Sequence, residues 1–135
     1  MTTTPNAVPE ILTSIDAGVM TLTINRLDKK NSLTAAMYAA MADAIEAAQH
    51  DSSVRAFVIQ GHETIFSAGN DISDFLNKPP STQDAPVFRF LRGISSFSKP
   101  VVAAVCGPAV GIGTTMLLHC DLIYAGDNAA FSLPF

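Results

Sequence analysis

The sequence predicts a single α/β domain, and three observations carry that expectation. Residues 10–25, "EILTSIDAGVMTLTIN", alternate apolar and polar residues on both sides of Asp16-Ala17-Gly18, the period-two signature of paired strands. Val54–Gln60 is nearly continuous in apolar residues and fits a strand covered on both faces, and Val101–Val105 reads as a second buried strand. Each leads through small residues into a helix start, near Asp71 and near Ile112, so strand and helix alternate along the chain.

The elements follow in order. Glu10–Ile15 and Val19–Asn25 are expected to form a β-hairpin, with Gly18 supplying a positive φ in the turn. "RLDKKNS" is a polar loop, and Thr34 is a suitable N-cap for a helix running to about Gln49. Leu33, Met37, Met41, Ile45 and Ala48 recur at near-helical spacing and are expected in the core. After the Val54–Gly61 strand comes a loop, a helical turn over Asp71–Leu76 and a polar connector, "NKPPSTQDAP". Asp84–Phe97 reads as a helix, and "VVAAV" as the next strand. "CGPAVGIG" reads as a turn, Ile112–His119 as a helix, "DLIYAG" as a strand and "AAFSLPF" as the start of another.

Composition narrows the function classes. The chain has 135 residues, 48% apolar and 15% charged, enough for one real core. Mean hydropathy is +0.30, which implies surface buried against other copies or membership of something larger. Net charge is −4 and the eight Lys and Arg are scattered, so no nucleic-acid interface is expected. No metal-ligand spacing is present, and Cys106 and Cys120 read as buried small hydrophobes. The uncharged run from Pro100 to Leu118 has the length of a membrane span, but Gly107-Pro108, Gly111 and Gly113 break it, so no membrane partner is expected. "MTTTPNAVPE" has neither the basic nor the apolar region of a secretory signal, and a cytoplasmic location is the expectation.

Familiar nucleotide and hydrolase motifs fail. Gly111-Ile112-Gly113 is half of a dinucleotide fingerprint, but Met116 stands where the third glycine belongs. Neither a Walker loop nor a G-x-S-x-G elbow occurs. What remains is two helix starts built from small residues, Ser67, Ala68, Gly69 and then Gly111, Gly113. Helix N-termini carry unpaired N–H groups, and two such donors meeting at one carbonyl oxygen would form an oxyanion hole. Ordinary strand-to-helix turns use the same residues, so this pattern alone leaves both readings open.

Three blocks, "NRLDKKNSLTAAMYAAMADAI", "VRAFVIQGHETIFSAGNDISDF" and "KPVVAAVCGPAVGIGTTMLLHCDLIYAGDNAAFSLPF", resemble in order and spacing the crotonase superfamily of enoyl-CoA hydratases and isomerases. The resemblance implies a crotonase-type spiral of ββα units, with residues 1–135 as the N-terminal half of a typical member. It implies an acyl-CoA thioester substrate held by two backbone N–H groups, matched here to Ala68 in "SAGND" and Ile112 in "GIG". It also implies substrate contacts from Ser67, Gly69, Asn70, Asp71, Ile72 and Gly111, with Arg26, Lys29 and Lys30 near the CoA phosphates. No metal or separate cofactor is implied, coenzyme A arriving with the substrate, and the assembly is expected to be a homotrimer or dimer of trimers.

Two departures bear on the reaction. The glutamates of the family's hydratases match Thr115 and Phe135 here, and neither side chain can shuttle a proton as a carboxylate does. "PF" at 134–135 resembles instead the Δ3,Δ2-enoyl-CoA isomerases, whose single glutamate is expected beyond Phe135. Isomerisation of 3-enoyl-CoA to 2-enoyl-CoA is therefore the expected reaction. A hydratase or other crotonase-fold enzyme with relocated acid and base groups, or a non-catalytic acyl-CoA-binding fragment, is the alternative.

Overall fold

The computed structural model describes residues 8–135; the N-terminal stretch at 1–7, read above for a secretory signal, lies outside them. Strands β1 (Ile11–Asp16) and β2 (Val19–Ile24) form the expected hairpin. Its two-residue turn places both Ala17 (φ 51°) and Gly18 (φ 81°) in the left-handed region, the geometry that matches the twist of a tight hairpin. Arg55 secures the turn, donating from Nη2 to the Ala17 carbonyl at 3.1 Å.

Helix α1 (Ala35–His50) starts where Thr34 predicts, the Thr34 Oγ1 accepting from the Met37 N–H at 3.2 Å. A second cap comes from far away, as Asp74 Oδ2 accepts from the Ala35 N–H at 2.7 Å. β3 (Ala56–Gln60) follows, then α2 (Ile72–Asn77), α3 (Pro86–Ser96) and β4 (Val101–Val105). The main sheet has the order β1-β2-β3-β4-β6, with β6 spanning Leu122–Ala125; all pairs after the hairpin are parallel. The core lies on one face of this sheet, where Leu22, Phe57, Ile59, Ala103 and Val105 meet Met37, Met41 and Ile45 of α1 and Phe90 of α3.

Four expectations need correction. β3 is fully buried on one face only: Phe57 and Ile59 are inside, while Ala56, Val58 and Gln60 are half-buried. The supposed turn at 106–113 contains a strand, β5 (Pro108–Val110), paired in parallel with β7 (Ala130–Ser132). Its partner lies some twenty residues on, so no local pattern announces it, and the proline stands at the first strand position, which demands least of its missing N–H. The helix expected over Ile112–His119 is a four-residue α4 (Ile112–Thr115) that tightens into a 3-10 turn over Met116–His119. Cys106 and Cys120 are free and half-buried rather than fully buried. Burial pushes the Cys120 thiol up to about 11, with Asp121 adding to the shift.

Among the described residues no helix is long and apolar enough to cross a membrane. Leu118, Leu122, Tyr124, Phe131 and Phe135 are exposed.

Candidate functional site

The site is built on the loop between β2 and α1. Lys30 (φ 56°) and Asn31 (φ 55°) are consecutive left-handed residues, which turn the chain back sharply. Asn31 is fully buried. Its Oδ1 accepts from the Arg26 N–H at 2.7 Å, and its Nδ2 donates to Ile24 O at 3.1 Å and Phe66 O at 3.1 Å. One side chain thus ties the end of β2, its own loop and the segment after β3 together.

That segment, 66–71, runs between two neighbours. On one side Phe66 and Ser67 donate their N–H groups to Pro108 O, and the Val110 N–H donates back to Ser67 O at 2.9 Å. On the other, the Leu33 N–H donates to Gly69 O at 2.8 Å and the Asp71 N–H to Leu33 O at 2.9 Å. The Ala68 N–H donates to Lys30 O at 3.0 Å, and the Gly69 N–H to Ser67 Oγ at 3.1 Å. Among the described residues, Asn70 is the member of this segment whose N–H meets no acceptor.

This corrects the expected donor at Ala68. Its amide is already part of the fold's hydrogen bonding, and the unspent one lies two residues on. The expectation at Ile112 stands differently. The Gly111 N–H donates to Ser132 O, and the Thr114 and Thr115 N–H groups both donate to Gly111 O. The Ile112 and Gly113 N–H groups, at the first turn of α4, meet no acceptor among the described residues.

Glycines set how closely the two segments approach. A Cβ on Gly69 (φ 94°) would stand 2.9 Å from Val110 O, and one on Gly113 would stand 2.8 Å from Ser67 O. Gly111 is needed for another reason. Its φ of 59° and ψ of −121° suit glycine, while its absent side chain would face open space.

The charged and polar candidates are mostly occupied. Asp71 caps α2, its Oδ1 accepting from the Asp74 N–H at 2.9 Å, while its Oδ2 receives Arg26 Nη1 at 2.7 Å. These two interactions, the Asp74 N–H first, hold the Asp71 carboxyl below its ordinary range. Arg26 also pairs with Glu10 at 3.1 Å and donates to Ser32, so it is a brace rather than a free phosphate ligand. Ser67 is fully buried and donates from Oγ to Asn31 O at 2.8 Å, which makes it a support for Gly69 and not a substrate contact. Lys29 and Ile72 are exposed. Asp121, like Asp74, is spent on a backbone amide, its Oδ2 accepting from the Val101 N–H at 2.8 Å.

Two concavities meet at Asn70 and Asp74. One, of about 450 Å³, is lined by Leu33, Tyr38, Phe75 and Val87 among others and is largely apolar. The other is a more open groove of about 660 Å³, lined by Arg26, Lys29, Ala68, Asp71 and Ile72 among others. Gly111 and Ile112 are on neither wall; they lie on the adjoining turn, joined to the 66–71 segment through the Ser67–Val110 hydrogen bond.

Sequence reasoning missed Asn31 and Tyr38, and of Asp74, a candidate acid, it missed the cap given to α1. Asn31 looks like any asparagine of a polar loop, and Asp74 like any acid of a first helical turn. Tyr38 carried a usable signal, because a tyrosine on the buried face of a helix must find a partner for its hydroxyl. That hydroxyl donates to Asn70 Oδ1.

Comparison with known proteins places the chain in a family by sequence and by fold. Residues 14–135 match the family described as enoyl-CoA hydratase/isomerase. The 2,3-dehydroadipyl-CoA hydratase of Escherichia coli K12 is 35% identical over 93% of this chain and 49% of its own length. Human enoyl-CoA delta isomerase 2 is 37% identical over 93% of this chain and 33% of its own. The solved structure of Pseudomonas aeruginosa OdaA superposes with a TM-score of 0.91 at 52% identity, covering 95% of this chain and 52% of that one. The chain thus spans between a third and a half of the length of these curated relatives, and its β-sheet and helices form part of a larger crotonase-type α/β spiral of ββα units. With the family's sequence pattern over 122 of its residues and the fold of its solved members, the chain belongs to the enoyl-CoA hydratase/isomerase family.

Proposed function

We propose that the site binds an acyl-CoA thioester and stabilises its enolate between the Asn70 and Ile112 N–H groups. The observation that carries this is the presence of unspent amides on both adjoining segments, Asn70 on one and Ile112 and Gly113 on the other, where the other N–H groups of 66–71 are all satisfied. Donors fixed by the fold and aimed at developing negative charge need no rearrangement during reaction, and each contributes several kcal/mol, about 3–4 by analogy with other oxyanion holes. The apolar cavity beside Asn70 suits the acyl chain. The open groove, with exposed Lys29 at its rim, suits the CoA end, whereas Arg26 contributes by holding Asp71 and Ser32 in place.

Two reactions fit such a site. Names among the relatives include hydratases at least as often as isomerases, which favours an enoyl-CoA hydratase or another family reaction with relocated acid and base groups. Thr115 and Phe135, standing where the family's hydratases carry glutamates, favour 3-enoyl to 2-enoyl isomerisation, in which one base moves a proton from the α- to the γ-carbon. The general base is proposed to lie outside these residues, because Asp71, Asp74 and Asp121 are each spent on backbone amides and Glu63 lines neither concavity. A trimeric assembly and a cytoplasmic location complete the proposal. The test is to assay the full-length protein side by side on 2-enoyl and 3-enoyl thioesters. Turnover of either supports enolate chemistry; turnover of neither rejects it.

A further inference from the structure

We propose that Tyr38 is a positioning residue that sets the conformation of Asn70 at the junction of the two cavities. The inference rests on the enolate-holding site proposed above and adds to it a residue on a different element. Tyr38 lies on α1, one turn beyond the Thr34 and Asp74 caps, and is almost wholly buried, with 4% of its surface exposed. Its ring packs on Phe90 of α3 with centroids 5.7 Å apart. The ring therefore has one place to sit, and its hydroxyl emerges on the wall of the apolar cavity, where it donates to Asn70 Oδ1.

Asn70 needs such a restraint. Its residue is exposed, its backbone carries the unspent N–H, and its Nδ2 meets no acceptor among the described residues. On either side of it, Gly69 and Asp71 are fixed by hydrogen bonds to Leu33. Without Tyr38 the carboxamide would rotate among several rotamers, some of them over the mouth of the cavity. With Tyr38 in place, Oδ1 is taken and Nδ2 is left as a side-chain donor beside the backbone donor of the same residue. Burial also raises the phenol above its ordinary value of 10.0, so the hydroxyl remains a donor throughout the working pH range.

The experiment is a double-mutant cycle in the full-length protein with Tyr38→Phe, Asn70→Ala and both together. Asn70→Ala keeps the backbone donor while removing the carboxamide. The expected result is that each single variant loses kcat about 10-fold, the double variant loses no more than either, and KM for the CoA thioester stays within about 2-fold. Calorimetric binding of a saturated acyl-CoA to the wild type separates this idea from the one beneath it. A wild type that binds and turns over thioesters while Tyr38→Phe keeps the wild-type kcat overturns the positioning role alone. So do losses that add in the double variant. A wild type that neither binds nor turns over any CoA thioester removes the enolate site, and the role of Tyr38 with it.

Discussion

The Asn31 carboxamide donates to the carbonyl of Phe66, 35 residues further along the chain, at 3.1 Å. With the bonds from Asn31 to Ile24 O and from Arg26 N–H, this fully buried side chain fixes both walls of the loop that presents Lys30 O to Ala68. Removing it strands buried carbonyls without donors. Asn31→Gly keeps the left-handed backbone cheap, so it isolates the side-chain contribution. It is expected to lower the unfolding free energy by about 2–4 kcal/mol. Denaturant titration measures this, and a loss under about 0.5 kcal/mol, the level of an ordinary surface change, contradicts the assignment.

Gly69 and Gly113 let the 66–71 segment and the 110–113 turn approach to contact distance. Alanine is the better helix former at Gly113, by roughly 1 kcal/mol in an exposed helix. Yet its Cβ would sit 2.8 Å from Ser67 O, a backbone atom with no freedom to move away. Gly113→Ala is therefore expected to destabilise, against its helix propensity, and to lower kcat by widening the gap between Asn70 and Ile112. Gly69→Ala adds the strain of a φ of 94° to a similar clash with Val110 O and is expected to cost more, on the order of 1–3 kcal/mol from backbone strain alone. Thermal unfolding and steady-state kinetics on both variants check the order; a stabilised Gly113→Ala would show that the segments can part freely.

The Asp71 carboxyl is held below its ordinary value of 3.8 by the Asp74 N–H and the Arg26 guanidinium. A carboxyl depressed on folding adds stability above its unfolded pKa, and that stability is lost as pH falls through the folded value. Asp71→Asn keeps a capping oxygen and gives up the charge, so it tests the ionic part. Wild type and variant are expected to differ most near pH 7, to hold that difference down to about pH 4, and to converge below it. Chemical unfolding at pH 7, 4 and 3 measures this. A gap that widens in acid reverses the sign and rejects the pairing as its source.

Much of the fold is legible because it rests on local patterns. The hairpin, α1 with its Thr34 cap, and the central strands follow from period and composition in windows of a few residues. β5 is not legible, because three residues after a glycine become a strand only when Ala130–Ser132 lie beside them. The site divides the same way. Small residues at 67–69 and 111–113 mark where a ligand can reach the main chain, and the structure brings both stretches together. Which amide is unspent depends on the Lys30 carbonyl meeting Ala68, a contact across 38 residues between two loops, so spacing alone pointed to an amide that the fold has already used. Likewise the basic and acidic side chains that looked available, Arg26 and Asp71, neutralise each other, and sequence does not show which charges have partners.

Proline substitution separates the donors, because it deletes an N–H while leaving a chain of similar length. Ile112 is the first residue of α4, the position where helices accept proline best, since that N–H has no helical partner. The preceding Gly111 has no side chain to clash with the proline ring. Ile112→Pro should thus keep the backbone of α4, losing the packing of the half-buried Ile112 side chain on the core and one oxyanion donor, with kcat lower by about 100- to 1,000-fold. Ala68→Pro should behave differently. It breaks the bond to Lys30 O, so its damage should appear first as lost stability, with activity following the unfolded fraction. Melting curves and kcat measured on the same preparations of the full-length protein distinguish the two. If Ile112→Pro is well folded and fully active, the α4 amide does not hold the thioester oxygen. If Ala68→Pro is well folded and inactive, the donor belongs at 68 after all, and the Lys30 bond must open when substrate arrives.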